Sequence, residues 1–395
     1  MLPRTFLLPP RLRFGEGGIR ELGAEAVRLG RRALVVSGPK TAALGRAGAA
    51  VDLLRLAGLQ AEAYSGISAE PHVSHVDEGT LVGRTLGADL VVGIGGGSAL
   101  DAAKAIAVQL ATRSPITDCE GQDKVRAALP VLAIPTTAGT GSEVTRFTVV
   151  TRPGDDGSQV KMLIGSPLLV PRTAILDPEL LLSAPPAAAA GAGVDALTHA
   201  IEAFVSDAAQ PLTDDLALAA IRHLAPHLAR AAKGEAQAED LGELMLGALQ
   251  AGMAFSNASV ALVHGMARPL GACFGVPHGV ANGLLLATVV EFNLPAAPER
   301  YARIAQALGE ESTAATELVA RICTACSLPD PASFGIDDAR LGRLAPQMAR
   351  DALRSGSPQH NPRLAGAEEI EALYRKALLP DGSQESFPRA RGALE

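Results

Sequence analysis

Two stretches of this chain hold side chains whose types and spacing suit a transition metal. In GVDALTHAIEAF, Asp195 and His199 stand four apart, one turn along a single helical face. Further on, VALVHGMARPLGACFGVPHGVANG holds His264 and His278, each followed by glycine, in a mostly apolar segment. One carboxylate and three imidazoles make a plausible site for a divalent ion, because imidazole suits Zn, Fe and Ni and the carboxylate adds one negative charge. With neutral imidazoles the ion and its ligands keep a net positive charge, which suits an oxygen developing negative charge.

The other histidines carry less signal. His223 and His227 are also four apart, but Pro226 lies between them, arginines flank them and no carboxylate joins their face. They read as part of an ordinary helix. His72 and His75 fall in a loop and helix start, and His360 precedes a proline turn. Cys323 and Cys326 spell CxxC without a second pair, and their helical spacing reads as a buried helix.

The elements that must position these residues change character along the chain. Up to the Pro-Pro pair at 185–186, short apolar runs such as ALVV, LVVGI and VLAIP alternate with amphipathic helical patterns. That alternation predicts an α/β half built on a parallel, doubly wound sheet. Beyond the pair only helical periodicity remains. The expected division is 1–182 for an α/β dinucleotide-binding domain and 183–395 for an all-helical metal-binding and substrate domain. Residues after Leu379 read as a polar tail.

Composition excludes several classes. A hydrophobic share of 48% with 3% aromatics and no Trp predicts a large, aliphatic core. A net charge of −7 without a basic run argues against nucleic acid and against a polybasic membrane patch. No signal-peptide pattern opens the chain, no long apolar stretch lacks charge or proline, and four cysteines make no disulfide framework. A cytoplasmic enzyme of small molecules is the expectation.

GIGGGSALD follows a strand and opens a helix, so Gly95, Gly96, Gly97 and Ser98 bring backbone N–H groups and a helix N-terminus to one place, with Asp101 on the first turn. It is not the dinucleotide fingerprint of a Rossmann fold, since Ser98 stands where the third glycine belongs. A pyrophosphate cradle and a tight turn both remain open. PTTAGTGSEVT adds the hydroxyls of Thr136, Thr137, Thr140 and Ser142 after the next strand, either for phosphate or as a helix-capping turn.

Across nearly its whole length, from FGEGGIRELG to NPRLAGAEEIEALYRKAL, the chain resembles the iron-containing (group III) alcohol dehydrogenase family. GGGSALDAAKAIA resembles that family's pyrophosphate loop, PTTAGTGSEVT its second nucleotide loop, and HGMARPLGACFGVPHGVAN its most specific signature. The resemblance implies Asp195, His199, His264 and His278 as ligands of Fe(II), with Zn(II) also acceptable to such a set. It implies a Rossmann-like N-terminal domain and a helical C-terminal domain, an architecture shared with dehydroquinate synthase. It marks Lys161 for the cofactor and Phe147 and Phe255 for the substrate, although Phe255 equally suits a helix core. The implied reaction is hydride transfer between NAD(P)H and a small aldehyde or alcohol, in a homodimer or larger assembly. The alternative is a metal-dependent lyase of dehydroquinate-synthase type, which would want more basic residues near the motifs than Arg146 and Arg268.

Two positions depart from the family pattern. NAD-dependent members commonly carry an aspartate after the first nucleotide-domain strand, where this chain has Gly38, Pro39 and Lys40. Without that carboxylate a ribose 2′-phosphate is not repelled, and Lys40 attracts it, which favours NADP(H) over NAD(H) with dual use plausible. Arg268 stands where many members have histidine, one turn after His264. A fixed cation beside a metal calls for an anion: a carboxylate, phosphonate or phosphate on the substrate, a protein carboxylate, or a cofactor phosphate. The first choice points to an oxo-acid, semialdehyde or phosphonoaldehyde.

Overall fold

The computed structural model describes residues 4–68, 70–154, 159–310 and 314–379; the polar tail expected after Leu379 lies outside them. The chain falls into two compact units, Met1–Ala184 and Pro185–Glu395.

The first unit is built on a six-stranded sheet, all of whose pairings are parallel. Its strands are β1 (Arg11–Phe14), β2 (Arg32–Val36), β3 (Gln60–Tyr64), β4 (Leu90–Gly95), β6 (Val131–Pro135) and β9 (Thr173–Leu176), in the order β1-β9-β6-β4-β2-β3. The continuous apolar runs form the central strands because both faces are covered. Leu34, Val36 and Val91 pack with Val76 and Ile106 on one face, while Val35, Val92, Ile94, Ile134 and Ile175 pack with Val51 and Leu54 on the other. From β2 the chain moves outward to β3, then returns through β4 to β6 and β9 on the other side. The order therefore reverses between β2 and β4, and a crevice at such a switch point, outside the carboxyl ends of the strands, is where open α/β sheets bind ligands.

A second, smaller sheet was not expected from the sequence. It pairs β7 (Phe147–Pro153) with β8 (Gln159–Gly165) antiparallel, and the two-residue β5 (Gly121–Gln122) with β8. Their middle residues follow period two: Thr148, Val150, Met162 and Ile164 are fully buried while Phe147, Val149, Lys161 and Leu163 are less so. Val150, Met162 and Ile164 join the core beside Ile106. The sheet is thus a one-sided addition to the parallel half.

Among the helices, α1 (Gly97–Thr112) follows β4, and α2 (Pro186–Val205), α3 (Pro211–Leu224), α4 (Ala238–Ala258), α5 (Leu262–Phe274) and α6 (His278–Asn293) belong to the second unit. Helices α4 and α5 meet at a bend of 102°, where Ser259 takes a φ of 68°. Helix α6 with its short extension to Ala296 is long and apolar enough to cross a bilayer, but half of that window is buried inside the protein, which is how a core helix reads.

Candidate metal centre

Helix α2 carries the first part of the site. Its period places Asp195, His199 and Glu202 on one face, and all three are buried. Helix α5 brings His264, and α6 opens with His278 and carries Asn282 one turn later. His264 Nε2 lies 3.5 Å from Asp195 Oδ1 and His278 Nε2 3.7 Å from the same oxygen. His199 Nδ1 is 4.0 Å from Asp195 Oδ2, and the His199 and His264 rings stack at 4.4 Å. Among the described residues, Asp195, His199 and His264 form the one group of three with ligand atoms all within 4.8 Å. His278 stands at its edge with 41% of its side chain exposed, which leaves one side open.

These distances fit a metal. Four ligands about 2.1 Å from an ion sit roughly 3.4 Å from one another in a tetrahedron, close to the two spacings around Asp195 Oδ1. Asp195 has no lysine or arginine within 4.0 Å among the described residues. Burial alone would raise its pKa, but the imidazoles of His199, His278 and His264 outweigh burial and hold it well below the usual carboxylate range. His278 is pushed below the ordinary imidazole range, by burial first, with Asp195 opposing and His264, His199 and Arg268 adding to the shift. That direction favours the neutral ring, the state in which imidazole binds metals. Asn282, fully buried, donates from Nδ2 to Asp195 Oδ1 at 2.6 Å while its own Oδ1 has no partner. A buried amide held this way fixes the carboxylate's orientation.

In the first unit the two glycine- and threonine-rich loops touch. Gly95 ends β4 with a φ of 150°, and its carbonyl accepts from Thr136 N at 2.9 Å. A Cβ on Gly97 would stand 2.7 Å from Thr140 Oγ1, and one on Gly96 would stand 3.4 Å from Thr137 Oγ1. Only glycine lets the loops close up at Gly97. Asp101 accepts from Ser142 Oγ at 2.5 Å and from Val149 N at 2.9 Å, so this pair ties α1 to the second loop and to β7. Beneath it, fully buried Lys104 donates to the Thr145 carbonyl, Thr145 Oγ1 and the Phe147 carbonyl at 3.0, 3.1 and 2.8 Å. Burial lowers Lys104 to about 8 against the pull of Asp101 and Glu143.

A sequence profile of the iron-containing alcohol dehydrogenases matches residues 9–178, and the C-terminal profile of the same family matches residues 189–378. The chain belongs to the iron-containing alcohol dehydrogenase family. It is 35% identical to the 1,3-propanediol dehydrogenase of Klebsiella pneumoniae over 387 residues, 94% of this chain and 98% of that protein. It is 36% identical to the lactaldehyde reductase of Escherichia coli K12 over 379 residues, 92% and 97% of the two. Among solved structures, a 1,3-propanediol oxidoreductase superposes with a TM-score of 0.90 at 34% identity, covering 95% of this chain and all of that one. The iron-containing alcohol dehydrogenase of Thermococcus thioreducens superposes at 0.87 with 32% identity, covering 95% and 99%. As a member of that family the protein is an oxidoreductase, and the relatives named here are dehydrogenases and reductases, not lyases.

The remaining expected site residues of this family member fall as follows. Phe255 stacks on His199 with ring centroids 4.1 Å apart, so it walls the metal group directly. Arg268 donates to Ser357 Oγ at 2.9 Å, and among the described residues no carboxylate lies within 4.0 Å of it. The carboxylate that acts on Arg268 is Glu202, from beyond ion-pair distance. Gly38 caps the short helix Pro39–Ala43, on which Lys40 is exposed. Lys161 pairs with Glu70 at 2.6 Å on the small sheet. Phe147 opens β7, with the Arg146 guanidinium 5.1 Å from its ring.

One expectation about the other histidines is corrected. Carboxylates do reach His223 and His227: Glu243 Oε2 and Asp240 Oδ1, both on α4, lie 2.5 and 2.7 Å from their Nδ1 atoms. Helix α3 ends at Leu224, before Pro226, so the two imidazoles do not share one helix. Their partners come from across a helix pair, which spacing along one helix does not reveal. Cys323 and Cys326 are free, and burial pushes their thiols up to about 12 and about 11, away from redox reactivity. Sequence spacing passed over Glu202, Asn282 and Lys104. For Glu202 a signal was available, since it continues the face of Asp195 and His199 by one more turn.

Proposed function

We propose that this protein is a metal-dependent alcohol dehydrogenase or aldehyde reductase that exchanges a hydride between NAD(P)H and a small, anionic aldehyde or alcohol. The observation that carries the reading is the buried carboxylate–imidazole group of Asp195, His199 and His264 with His278 at its open edge. The relatives named above are a propanediol dehydrogenase and a lactaldehyde reductase, which supports a small oxygenated substrate. A divalent ion supplies Lewis acidity to the substrate oxygen and a nicotinamide accepts or donates the hydride.

The chain's own residues do the rest. Asp195, His199, His264 and His278 would hold the ion, Fe(II) by family with Zn(II) as the substitute. Phe255 lies flat on His199 and keeps water from that side of the site. Gly95, Gly96, Gly97 and Ser98, with Thr136, Thr137 and Thr140, offer N–H and hydroxyl donors to a dinucleotide's phosphates. Lys40, with no acidic residue beside Gly38 and Pro39, favours NADP(H). Among the described residues Arg268 has a single hydroxyl partner, and its planar fork suits the substrate's carboxylate or phosphonate. The family also carries the expectation of a homo-oligomer, which light scattering checks, and four free cysteines suit a reducing cytoplasm.

The test is initial-rate oxidation of NADPH and NADH by the anaerobically metal-restored enzyme across short aldehydes. Turnover that disappears on chelation and returns with Fe(II) or Zn(II) is the expected result. Tight dinucleotide binding without turnover on any aldehyde, alcohol or hydroxy acid refutes the proposal.

A further inference from the structure

Glu202 sits on α2 beyond His199, is 2% exposed, and has no lysine or arginine within 4.0 Å among the described residues. Its carboxylate accepts three hydrogen bonds. Two come from Ala261 N at 2.9 Å and Val263 N at 2.6 Å. These N–H groups belong to the N-terminus of α5, where the first turn has no intrahelical acceptor, and Ala261 in the cap position has no side-chain oxygen to offer. Glu202 therefore caps α5 from another helix, with its charge at the positive end of the helix dipole. The third bond comes from His264 Nδ1 at 2.6 Å. A carboxylate accepts from Nδ1 only if that nitrogen carries the proton, and in the neutral ring, the form that binds a metal, this leaves the lone pair on Nε2. Nε2 is the atom that faces Asp195 Oδ1 at 3.5 Å.

We infer that Glu202 is the positioning residue of the metal centre: one carboxylate selects which nitrogen of His264 is the ligand and fixes where the helix carrying His264 begins. Because Asp195, His199 and Glu202 share one rigid helix, His264 is registered against the other ligands through α2, not through the sharp α4–α5 bend. The two roles reinforce each other, since a shift of α5 would break the N–H bonds and the imidazole bond together. The inference rests on reading Asp195, His199, His264 and His278 as a metal site.

Co(II) titrated anaerobically into the chelator-treated full-length protein is the probe, read by d–d absorption. If wild type binds no Co(II), the metal-site reading itself fails. If wild type binds, Glu202→Gln is expected to raise the Co(II) Kd by 10–100-fold and to alter the d–d bands, while NADPH binding followed by fluorescence stays within about twofold. A cap that merely holds α5 lowers the melting temperature of the apoprotein and leaves Co(II) affinity and spectrum at wild-type values, which overturns the inference. Should Glu202→Gln not fold, wild type decides: in the Zn(II)-loaded protein, long-range ¹⁵N–¹H correlation assigned with His264→Gln is expected to show His264 protonated at Nδ1. Protonation at Nε2 instead overturns it.

Discussion

Replacing Arg268 with alanine removes a cation that has no carboxylate within 4.0 Å among the described residues. Among the described residues its one hydrogen bond goes to Ser357 Oγ at 2.9 Å. Burial lowers its pKa, with Glu202 opposing only at a distance, and the same charge helps depress His278. Such a cation is costly while the site is empty and becomes favourable when an anion arrives. A charge-assisted contact to a substrate carboxylate or phosphonate contributes about 1.5–3 kcal/mol, so kcat/KM for an anionic aldehyde falls by about 10–10² on its loss. The assay compares neutral and anionic aldehydes of matched length, wild type against Arg268→Ala. The neutral substrate should change by no more than about threefold, because it never used the charge. Arg268→Lys should recover only part of the loss, since an ammonium lacks the planar fork. If neutral and anionic substrates fall alike, the anion reasoning is wrong and Arg268 supports the site or the cofactor.

Three further outcomes follow from the geometry. Lys40→Glu should cut kcat/KM with NADPH about tenfold and leave NADH nearly unchanged; equal losses with both cofactors exclude the 2′-phosphate role. Lys104→Met leaves two carbonyls and a hydroxyl without their donor, so thermal or urea unfolding should show a loss of about 2–4 kcal/mol, with NADPH binding weakened and Co(II) binding unchanged. Glu25, held at about 2 chiefly by its hydrogen bond to Arg11 and helped by Arg13, has a folded pKa below its unfolded value of 4.5. The stability it adds is present above pH 4.5 and is lost as pH falls towards 2. Because Arg11 and Arg13 are 38% and 42% exposed, screening reduces it to about 1–2 kcal/mol. Glu25→Gln should thus lower the melting temperature at pH 7, by a margin that closes near pH 2.

What the sequence made legible depended on whether a signal was local. LVVGI and VLAIP announced central parallel strands, because burial on both faces demands an unbroken apolar run. The β7–β8 hairpin was not legible in that way: FTVVTRP and QVKMLIG mix one buried face with Thr151, Arg152 and Lys161, and a pattern tuned to two-sided burial passes over them. β1, RLRF, is harder still, since an edge strand with two arginines looks like any polar segment until Glu25 is seen to receive both. Within the candidate metal group, helical spacing put Asp195 and His199 on one face, and the two His-Gly pairs drew attention to α5 and α6. Spacing along one helix does not say what Glu202 or Asn282 will meet. Their partners, Ala261 to His264 and Asp195, come from other helices.

The position of β1 has a consequence for synthesis of the protein. Among the described residues its one partner in the sheet is β9, so the first strand of the unit to leave the ribosome waits for the last. At usual translation speeds that interval is on the order of ten to thirty seconds. Throughout it a bare strand edge is exposed to neighbouring nascent chains. Arg11 and Arg13 make that edge charged and poorly adhesive, and Glu25, emerging soon after, supplies their local partner. The same three side chains that stabilise the finished sheet therefore also guard its unfinished edge, and the unit closes just before Pro186 starts the helix that carries Asp195 and His199.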